Sequence, residues 1–164
     1  FSIVFYQSFR CYFKTKTGWL YLSPILDLCG RKVQCYSISS HNDEALSNET
    51  LDKFFALGVL KDSILHSDQG PLYTSKIWKK RLKKNGIIQS MSAAGCPYDN
   101  APMERYYNTS KTELINRFHF HTDEELNRAI SEYAYGWYNQ IRPHSYNGYR
   151  TPYEVRFGLE SFRS

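Results

Sequence analysis

The sequence lacks any apolar run long enough to span a bilayer, and its first residues show no charged segment followed by a long apolar stretch. These absences argue against a membrane protein and against a secreted one. The chain has 164 residues, of which 41% are hydrophobic. This length and composition predict a globular protein in which residues 1–164 form a single domain with a sizeable core.

Cysteine motifs are also missing, since the four cysteines form no C-x-x-C pair and show no zinc-binding spacing. We therefore expect free thiols, in a reducing compartment, at Cys11, Cys29, Cys35 and Cys96. Acidic residues are fewer than basic ones, and the net charge of +5 suits a polyanionic partner. The charge alone is a weak indication, because many basic proteins bind no polyanion.

The most informative residues are Asp68, Glu104 and Lys111. Asp68 follows a short apolar run that predicts a buried strand ending at a polar turn. Glu104 comes two positions after Pro102, which suits the first turn of a helix, and the helix dipole there favours the anionic carboxylate. Lys111 follows seven residues later, close to two helical turns, so it should share a helix face with Glu104.

Each of these residues also has an ordinary structural interpretation. An aspartate in a turn usually forms or caps that turn, and a glutamate in a first helical turn is usually solvated. Carboxylates brought together from a strand end and a helix start are, however, suited to Mg²⁺, which takes few protein oxygens and keeps positions for phosphate and water. With a lysine beside them to hold a phosphate, the set favours a metal site on a nucleic-acid-binding protein.

The segment from Leu65 to Phe157 resembles the catalytic half of DDE-type insertion-sequence transposases, an integrase-like class related to retroviral integrase. The matching stretches are HSDQG, TSKIW, SMSAAG, YDNAPMERYYNTSKTEL and YNQIRPHSYNGYRTPYEVR, preceded by WLYLSPILDLCGRKVQCYSIS. The resemblance implies an α/β, RNase H-like fold with a mixed sheet of about five strands flanked by helices. It also places the last helices, within residues 122–158, against the core.

The same resemblance assigns roles to residues. Three acids in that family hold two Mg²⁺ or Mn²⁺ ions; by position, Asp68 is the second acid and Glu104 the third, and Lys111 is the basic residue that contacts DNA. The expected partners are element ends, target DNA and further copies of the chain, with no membrane and no small-molecule cofactor. The expected location is the bacterial cytoplasm, associated with the nucleoid. The family's N-terminal helix-turn-helix region is missing, so we expect little sequence preference.

The first acid is absent from its expected place. Alignment on the turn at residues 14–18 puts Phe9 where the family has aspartate, and the surrounding residues 8–13 contain no carboxylate. Asp27 is the nearest acid downstream, but the resemblance places it at a non-catalytic position on the second strand. We therefore expect a transposase catalytic domain that is impaired in this copy. The alternatives are a non-catalytic DNA-binding or dimerising remnant and an RNase H-type metal-dependent nuclease.

Local patterns predict a first strand over residues 2–13, helix caps at Thr74 and at Asp99 or Asn100, and a core stripe along the helix that follows Thr122 and ends with Trp137. The lysine-rich helix at residues 75–84 has two interpretations, a solvated face, which is the commoner, and a DNA-backbone contact. Structural hydrogen bonds are the expected roles of His66 and His144. The loop at residues 91–98 is the candidate for a loop that closes on DNA.

A frameshift would explain the missing acid. Arg10, Cys11 and Tyr12 can be encoded by CGATGTTAC, and reading one nucleotide later gives Asp-Val and the start of a Thr codon, which is what the family has there. We predict these codons in the encoding DNA. Sequencing that DNA tests the idea, and any other codons at the three positions would remove it.

Overall fold

The protein is built on a mixed β-sheet, seen in a computed structural model that describes residues 4–16, 18–93 and 97–158. Its strands are β1 (Phe5–Ser8), β2 (Cys11–Lys14), β3 (Trp19–Asp27), β4 (Lys32–Ser39), β5 (Ile64–Ser67) and β6 (Ile88–Met91). β4 pairs with β3, β3 pairs with both β1 and β2, and β1 continues the sheet through β5 to β6. The pairings of β1 with β5 and of β5 with β6 are parallel, and the others are antiparallel.

β1 and β2 lie end to end along β3, as two halves of a strand that is interrupted at residues 9 and 10. The sequence predicted an unbroken strand over residues 2–13. Ser8 lies opposite Ile25 and Cys11 lies opposite Leu22, so both halves keep a single register along β3. That register brings Pro24 opposite Phe9, at the interruption. Proline has no N–H to donate to a neighbouring strand, which accounts for the break in the ladder at this point.

Helices cover both faces of the sheet: α1 (Glu44–Ala56), α2 (Pro71–Thr74), α3 (Lys76–Lys84), α4 (Ala101–Ser110), α5 (Asp123–Ser131) and α6 (Pro152–Phe157). Two of them continue as π-helical segments, α4 through Lys111–Ile115 and α5 through Glu132–Ile141. Short 3₁₀ turns lie at Pro97–Asn100 and Ser145–Asn147. α1 connects β4 to β5, and α2 and α3 form the crossover between the parallel strands β5 and β6.

Two apolar clusters lie on opposite faces of the sheet. One joins side chains of β2, β3 and β4 to α4, α5 and their π-helical continuations, and its fully buried members include Leu22, Leu26 and Met103. The other joins β1 and β5 to α1 and α3, through Phe54 and Leu82 among others. The alternation of side chains along each strand supplies both clusters, as expected for a sheet covered on two faces.

The prediction that Trp137 is the last core residue of the helix after Thr122 is wrong. Leu126, Ile130 and Tyr133 are buried as the helical spacing requires, but Trp137 is 45% exposed and Tyr138 is buried instead. The chain is π-helical from Glu132, and the N–H of Arg142 bonds to the carbonyl of Trp137 five residues earlier at 2.8 Å. A wider turn shifts the phase of the inward face, so a period of 3.6 residues misplaces it.

The cap of α3 also differs from the prediction. Thr74 ends α2, and the N-cap of α3 is Ser75, whose Oγ accepts a hydrogen bond from the N–H of Trp78 at 3.2 Å. Thr151 caps α6 in a reciprocal capping box with Glu154. Cys11 and Cys35 are free and buried and Cys29 is free and exposed, while Cys96 lies outside the described residues. No helix among the described residues is long and apolar enough to cross a membrane.

Asp27 is a fully buried carboxylate held at the end of β3 that is far from Asp68. Its Oδ2 lies 3.2 Å from Nε of Arg156, and its Oδ1 accepts a hydrogen bond from the N–H of Cys29 at 2.9 Å. The same carboxylate raises the pKa of Lys32, although burial lowers that pKa by more. These contacts tie α6 to the sheet, so Asp27 has a structural role.

We predict that Arg156→Gln lowers the unfolding free energy by about 1–3 kcal/mol, because it removes the cation that forms an ion pair with a buried carboxylate. The Arg156 side chain is 35% exposed, which keeps the expected loss below that of a fully buried pair. Urea unfolding measures the change. Arg128→Gln, on the exposed face of α5, is the matched control and should be neutral; an equal effect of both variants would contradict a specific role for the ion pair.

Candidate active site

Asp68 lies at the carboxyl end of β5, beside the end of β1. Ser8 and Ser67 are partners in the parallel pairing of these strands, so Phe9 and Asp68 are the next residues on each. Neighbouring strands are about 4.8 Å apart, which sets the scale of the separation between the two backbones. Oδ1 of Asp68 accepts a hydrogen bond from the N–H of Gly70 at 2.8 Å, and a Cβ at residue 70 would lie 2.8 Å from the same oxygen.

The start of α4 is fastened to the same end of the sheet by side-chain amides. Nε2 of Gln7, in β1, donates to the carbonyl oxygen of Asp99 at 2.8 Å and to Oδ1 of Asn100 at 3.2 Å. Oγ of Ser92, just after β6, donates to the same Asn100 oxygen at 3.1 Å. Asn100 occupies the N-cap position as predicted, but its side chain bonds to the sheet and makes no cap hydrogen bond.

One face of α4 packs on the sheet, and Glu104 lies beside that face. Met103 and Tyr107 are buried, and the Tyr107 hydroxyl donates a hydrogen bond to the carbonyl oxygen of Phe9. Glu104 is exposed one turn after Asn100. Lys111 follows two turns later, and its Nζ lies 5.9 Å from the ring centroid of Tyr12 in β2. Lys111 therefore lies close to β2, the strand that begins two residues after Phe9.

Phe9 lies beside Asp68, since the two residues follow the paired Ser8 and Ser67. Its ring packs against Tyr107, with 5.9 Å between centroids, on the face of the sheet that α4 covers. Asp27, in contrast, is paired with Tyr6, three residues before Phe9 along β1. Three residues of strand span about 10 Å, and Asp27 is paired with Arg156, so this carboxylate lies away from Phe9 and Asp68.

The donor set does not complete a two-ion metal site. No group of three or more His, Cys, Asp and Glu side chains close enough to hold a metal occurs among residues 4–16, 18–93 and 97–158. Asp68 and Glu104 could supply the one or two carboxylates with which proteins hold a single Mg²⁺. Phe9, beside Asp68, has no donor atom for a metal ion.

The two histidines have structural partners in the folded chain. His66 lies between two hydroxyls, with Nδ1 3.0 Å from Oγ of Ser90 and Nε2 3.0 Å from Oγ of Ser92. Burial lowers its pKa, and Asp99 opposes this change. Nε2 of His144 lies 3.2 Å from the carbonyl oxygen of Tyr138, and burial lowers the pKa of this imidazole as well. Both rings have structural hydrogen-bond partners, as the sequence predicted: His66 with serines of and after β6, and His144 with the π-helical segment.

On the other face of the sheet, a buried tyrosine links the site to α3. The hydroxyls of Tyr73 and Ser8 are 3.3 Å apart, and burial raises the pKa of Tyr73 to about 12. The ring of Tyr73 meets the ring of Trp78, in α3, edge to face at 5.0 Å. The guanidinium of Arg10 lies 5.9 Å from the Tyr73 centroid. The position of α3 is thereby fixed relative to the ends of β1 and β5.

Sequence reasoning missed the cluster that fixes the far end of the α4 segment. Nε of Arg142 bonds to both carboxylate oxygens of Glu113, at 2.8 and 3.0 Å, and the Tyr133 hydroxyl donates to Oε2 at 2.9 Å. Nε1 of Trp137 donates to the same oxygen at 3.3 Å. The cluster joins the two π-helical segments. No local spacing could have revealed it, because Glu113 and Arg142 are 29 positions apart.

Solved structures of retroviral integrases share this fold. A chain of the simian T-cell lymphotropic virus intasome in complex with PP2A regulatory subunit B56 gamma matches with a TM-score of 0.74 and 18% identity, over 97% of this chain and 55% of that chain. The catalytic core domain of BIV integrase matches with a TM-score of 0.66 and 16% identity, over 94% and 93%. The HTLV-2 integrase catalytic core domain in complex with magnesium (trimeric form) matches with a TM-score of 0.61 and 20% identity, over 92% and 94%. The fold of this chain is therefore the RNase H-like fold of integrase catalytic cores.

Sequence comparison gives the family directly. A family model described as integrase core domain matches residues 9–97, and another with the same description matches residues 85–152. The transposase for insertion sequence element IS904 of Lactococcus lactis subsp. lactis (strain IL1403) is 39% identical over 146 residues, which are 86% of this chain and 56% of the relative. Transposase InsF for insertion sequence IS3A of Escherichia coli (strain K12) is 35% identical over 144 residues, 86% and 49%. The chain belongs to the integrase core domain family and is related to insertion-sequence transposases, of which it spans about half the length.

We predict that Glu113→Gln lowers the unfolding free energy at pH 7 by about 1–3 kcal/mol, because charge-assisted hydrogen bonds are replaced by weaker ones. Burial raises the pKa of Glu113, but the bonds from Arg142, Tyr133 and Trp137 outweigh it and the pKa is lowered. Because the pKa of Glu113 is lowered in the folded state, the charged carboxylate stabilises the fold at pH values above the unfolded-state pKa, near 4.5. The stabilisation is lost as the pH falls through the folded-state pKa.

Urea unfolding at pH 7 and at successively lower pH measures the difference in unfolding free energy between wild type and Glu113→Gln. This difference should shrink as Glu113 becomes protonated. Glu132→Gln, an exposed glutamate on the neighbouring π-helical segment, is the matched control. A gap between wild type and Glu113→Gln that stays constant down to the acid transition would rule out the charged cluster as its cause.

Proposed function

We propose that this chain is the catalytic domain of an insertion-sequence transposase of the DDE type, whose chemistry is metal-dependent phosphoryl transfer that cuts and joins DNA strands, and that this copy is impaired. The observation that carries the proposal is the meeting of β1, β5 and α4 at one end of the sheet. There Asp68 lies beside Phe9, and Glu104 lies on a helix that bonds to both neighbouring strands. The relatives named as transposases support the assignment.

In this proposal Asp68 and Glu104 are the second and third acids, and they would hold Mg²⁺ or Mn²⁺. Such ions activate a water or a 3′-hydroxyl and stabilise the leaving oxygen of an in-line displacement. Lys111 lies two helical turns from Glu104, on the side of α4 that borders β2, where an ammonium can hold a backbone phosphate. The partners are the DNA of the element ends and of the target. The HTLV-2 integrase catalytic core domain, a structural neighbour described in a trimeric and a dimeric form, supports assembly of this chain into oligomers.

The substitution at residue 9 supports a second candidate, a DNA-binding domain without strand-transfer activity. A phenylalanine beside Asp68 supplies no ligand, so the two remaining carboxylates do not fit the two-ion arrangement. We therefore assign no metal-dependent step to the chain as it stands. Affinity for DNA backbone depends on cations such as Lys111, which the substitution leaves unchanged. A nuclease of the RNase H type, which cuts but does not join, is the third candidate.

The decisive variant is Phe9→Asp, assayed for Mg²⁺-dependent cleavage and strand transfer on a DNA duplex that carries the element end. We expect no product from wild type and measurable cleavage and joining from the variant, because a carboxylate at residue 9 would stand one strand away from Asp68. Joining distinguishes a transposase from a nuclease. The variant loses the packing of Phe9 on Tyr107, so circular dichroism must show that it folds.

Three control variants separate restored chemistry from altered folding. Phe9→Asn changes the same contact without adding a carboxylate and should remain inactive. Adding Asp68→Asn or Glu104→Gln to Phe9→Asp should abolish the activity while leaving DNA binding largely intact. A folded, DNA-bound Phe9→Asp that forms no product would overturn the assignment of Phe9 to the first-acid position, and activity in wild type would overturn the impairment.

A further inference from the structure

α3 carries a face made only of lysine. Lys76, Lys79, Lys80, Lys83 and Lys84 occupy positions i, i+3, i+4, i+7 and i+8 of the helix, the spacing that places residues on one side. All five are exposed. None of them forms an ion pair with any residue in the described parts of the chain. We call these five residues the α3 lysine face.

The opposite side of α3 is fixed to the core, so the lysine face cannot rotate inward. Trp78 and Leu82 are buried in the cluster that α1 shares with the sheet. Arg81, the remaining cation of the helix, is occupied: it donates to the carbonyl oxygen of Asn48 at 3.1 Å and to its Oδ1 at 2.8 Å, and it forms an ion pair with Asp52. α3 thus carries one arginine that is bound to α1 and five lysines that form no ion pair with the described residues.

Such a face is unfavourable for the isolated protein. Lys76 and Lys80, Lys79 and Lys83, and Lys80 and Lys84 are like-charged pairs four residues apart, and such pairs destabilise a helix. The negative end of the helix dipole favours Lys83 and Lys84, but it does not reach Lys76 at the other end. An exposed helix gains solubility from alternating charges as readily as from a single sign. A uniform lysine face is therefore better explained by an anionic partner than by solvation alone.

We propose that the α3 lysine face binds the phosphate backbone of duplex DNA along the length of the helix. The proposal rests on the assignment of DNA as the substrate of this domain and adds a second contact surface to it. α3 begins eight residues after Asp68, and the packing of Trp78 on Tyr73 holds it against the end of β1. A duplex that enters the site from this side would follow the lysines away from Asp68.

The dimensions agree with a backbone contact. Nine helical residues rise about 13 Å, and each DNA strand carries one phosphate per about 3.4 Å of duplex axis. The lysine face therefore spans about four phosphates of one strand. Lysine is a compact charge on a flexible stem, suited to backbone contacts without base recognition. The face should bind DNA of any sequence.

The test is the salt dependence of binding to a fluorescent DNA duplex, measured by anisotropy. Lys79→Gln, Lys80→Gln and Lys83→Gln are combined in one variant, which has a formal net charge of +2 in place of +5. The slope of log K against log salt should become less steep by about 2–3 units, since each phosphate contact contributes about 0.9. Affinity at low salt should fall on the order of tenfold or more, as several phosphate contacts are lost.

A control of equal charge separates contact from long-range attraction. Lys61→Gln, Arg117→Gln and Arg128→Gln together remove the same charge from exposed sites on other elements, and should leave the slope near the wild-type value. The variant that combines Lys79→Arg, Lys80→Arg and Lys83→Arg should keep both the slope and the affinity of wild type. The glutamine variant should unfold at or above the wild-type temperature, because it removes like-charge repulsion.

Each outcome decides something distinct. No binding of the duplex by wild type would overturn the DNA assignment and this inference with it. Wild-type binding with the same slope in the α3 variant and in the control would overturn the lysine face alone. If the α3 variant lost binding to phosphatidylserine vesicles while its DNA slope stayed unchanged, the surface would belong to a membrane contact, and the proposal would also fail.

Discussion

The amide of Gln7 determines where the candidate site forms. It is fully buried in β1 and donates both of its N–H bonds to the residues that precede α4, the carbonyl of Asp99 and the side chain of Asn100. A buried amide that loses its partners costs free energy, so the helix start is held where these bonds can be made. Glu104 is one turn further on. The position of this carboxylate is therefore a consequence of a polar contact that spans 93 residues of sequence.

The α4 segment is held at its other end by a second polar contact. Glu113 accepts bonds from Arg142, Tyr133 and Trp137, so the π-helical continuation of α4 cannot move independently of the chain that follows α5. Between the two contacts, Met103 and Tyr107 pack on the sheet. A helix fixed at both ends and along one face presents Glu104 and Lys111 in a constant orientation. This rigidity is what a site built from distant residues requires.

Local patterns predicted the parts of this arrangement that local chemistry determines. The apolar run before Asp68 and the proline near the start of the Glu104 helix each act within a few residues, and the structure has both. Tertiary effects account for the errors. The strand break at Phe9 depends on Pro24 of the neighbouring strand, and the exposure of Trp137 depends on a π-helical turn. The Gln7–Asn100 contact leaves no trace in local composition.

Phenylalanine at residue 9 contributes to the packing of the fold and supplies no metal ligand. A carboxylate there would lie one strand away from Asp68, and two like charges so close repel each other unless a cation is bound. The Phe9 ring instead packs on Tyr107, so the fold gains an apolar contact. The Tyr107 hydroxyl also donates a hydrogen bond to the carbonyl oxygen of Phe9. The α3 lysine face is fixed by Trp78, Leu82 and Arg81, none of which touches Phe9. In the proposed function, an acid lost at residue 9 would leave the α3 lysine face unchanged, so the fold and the proposed affinity for DNA would not depend on the catalytic reaction.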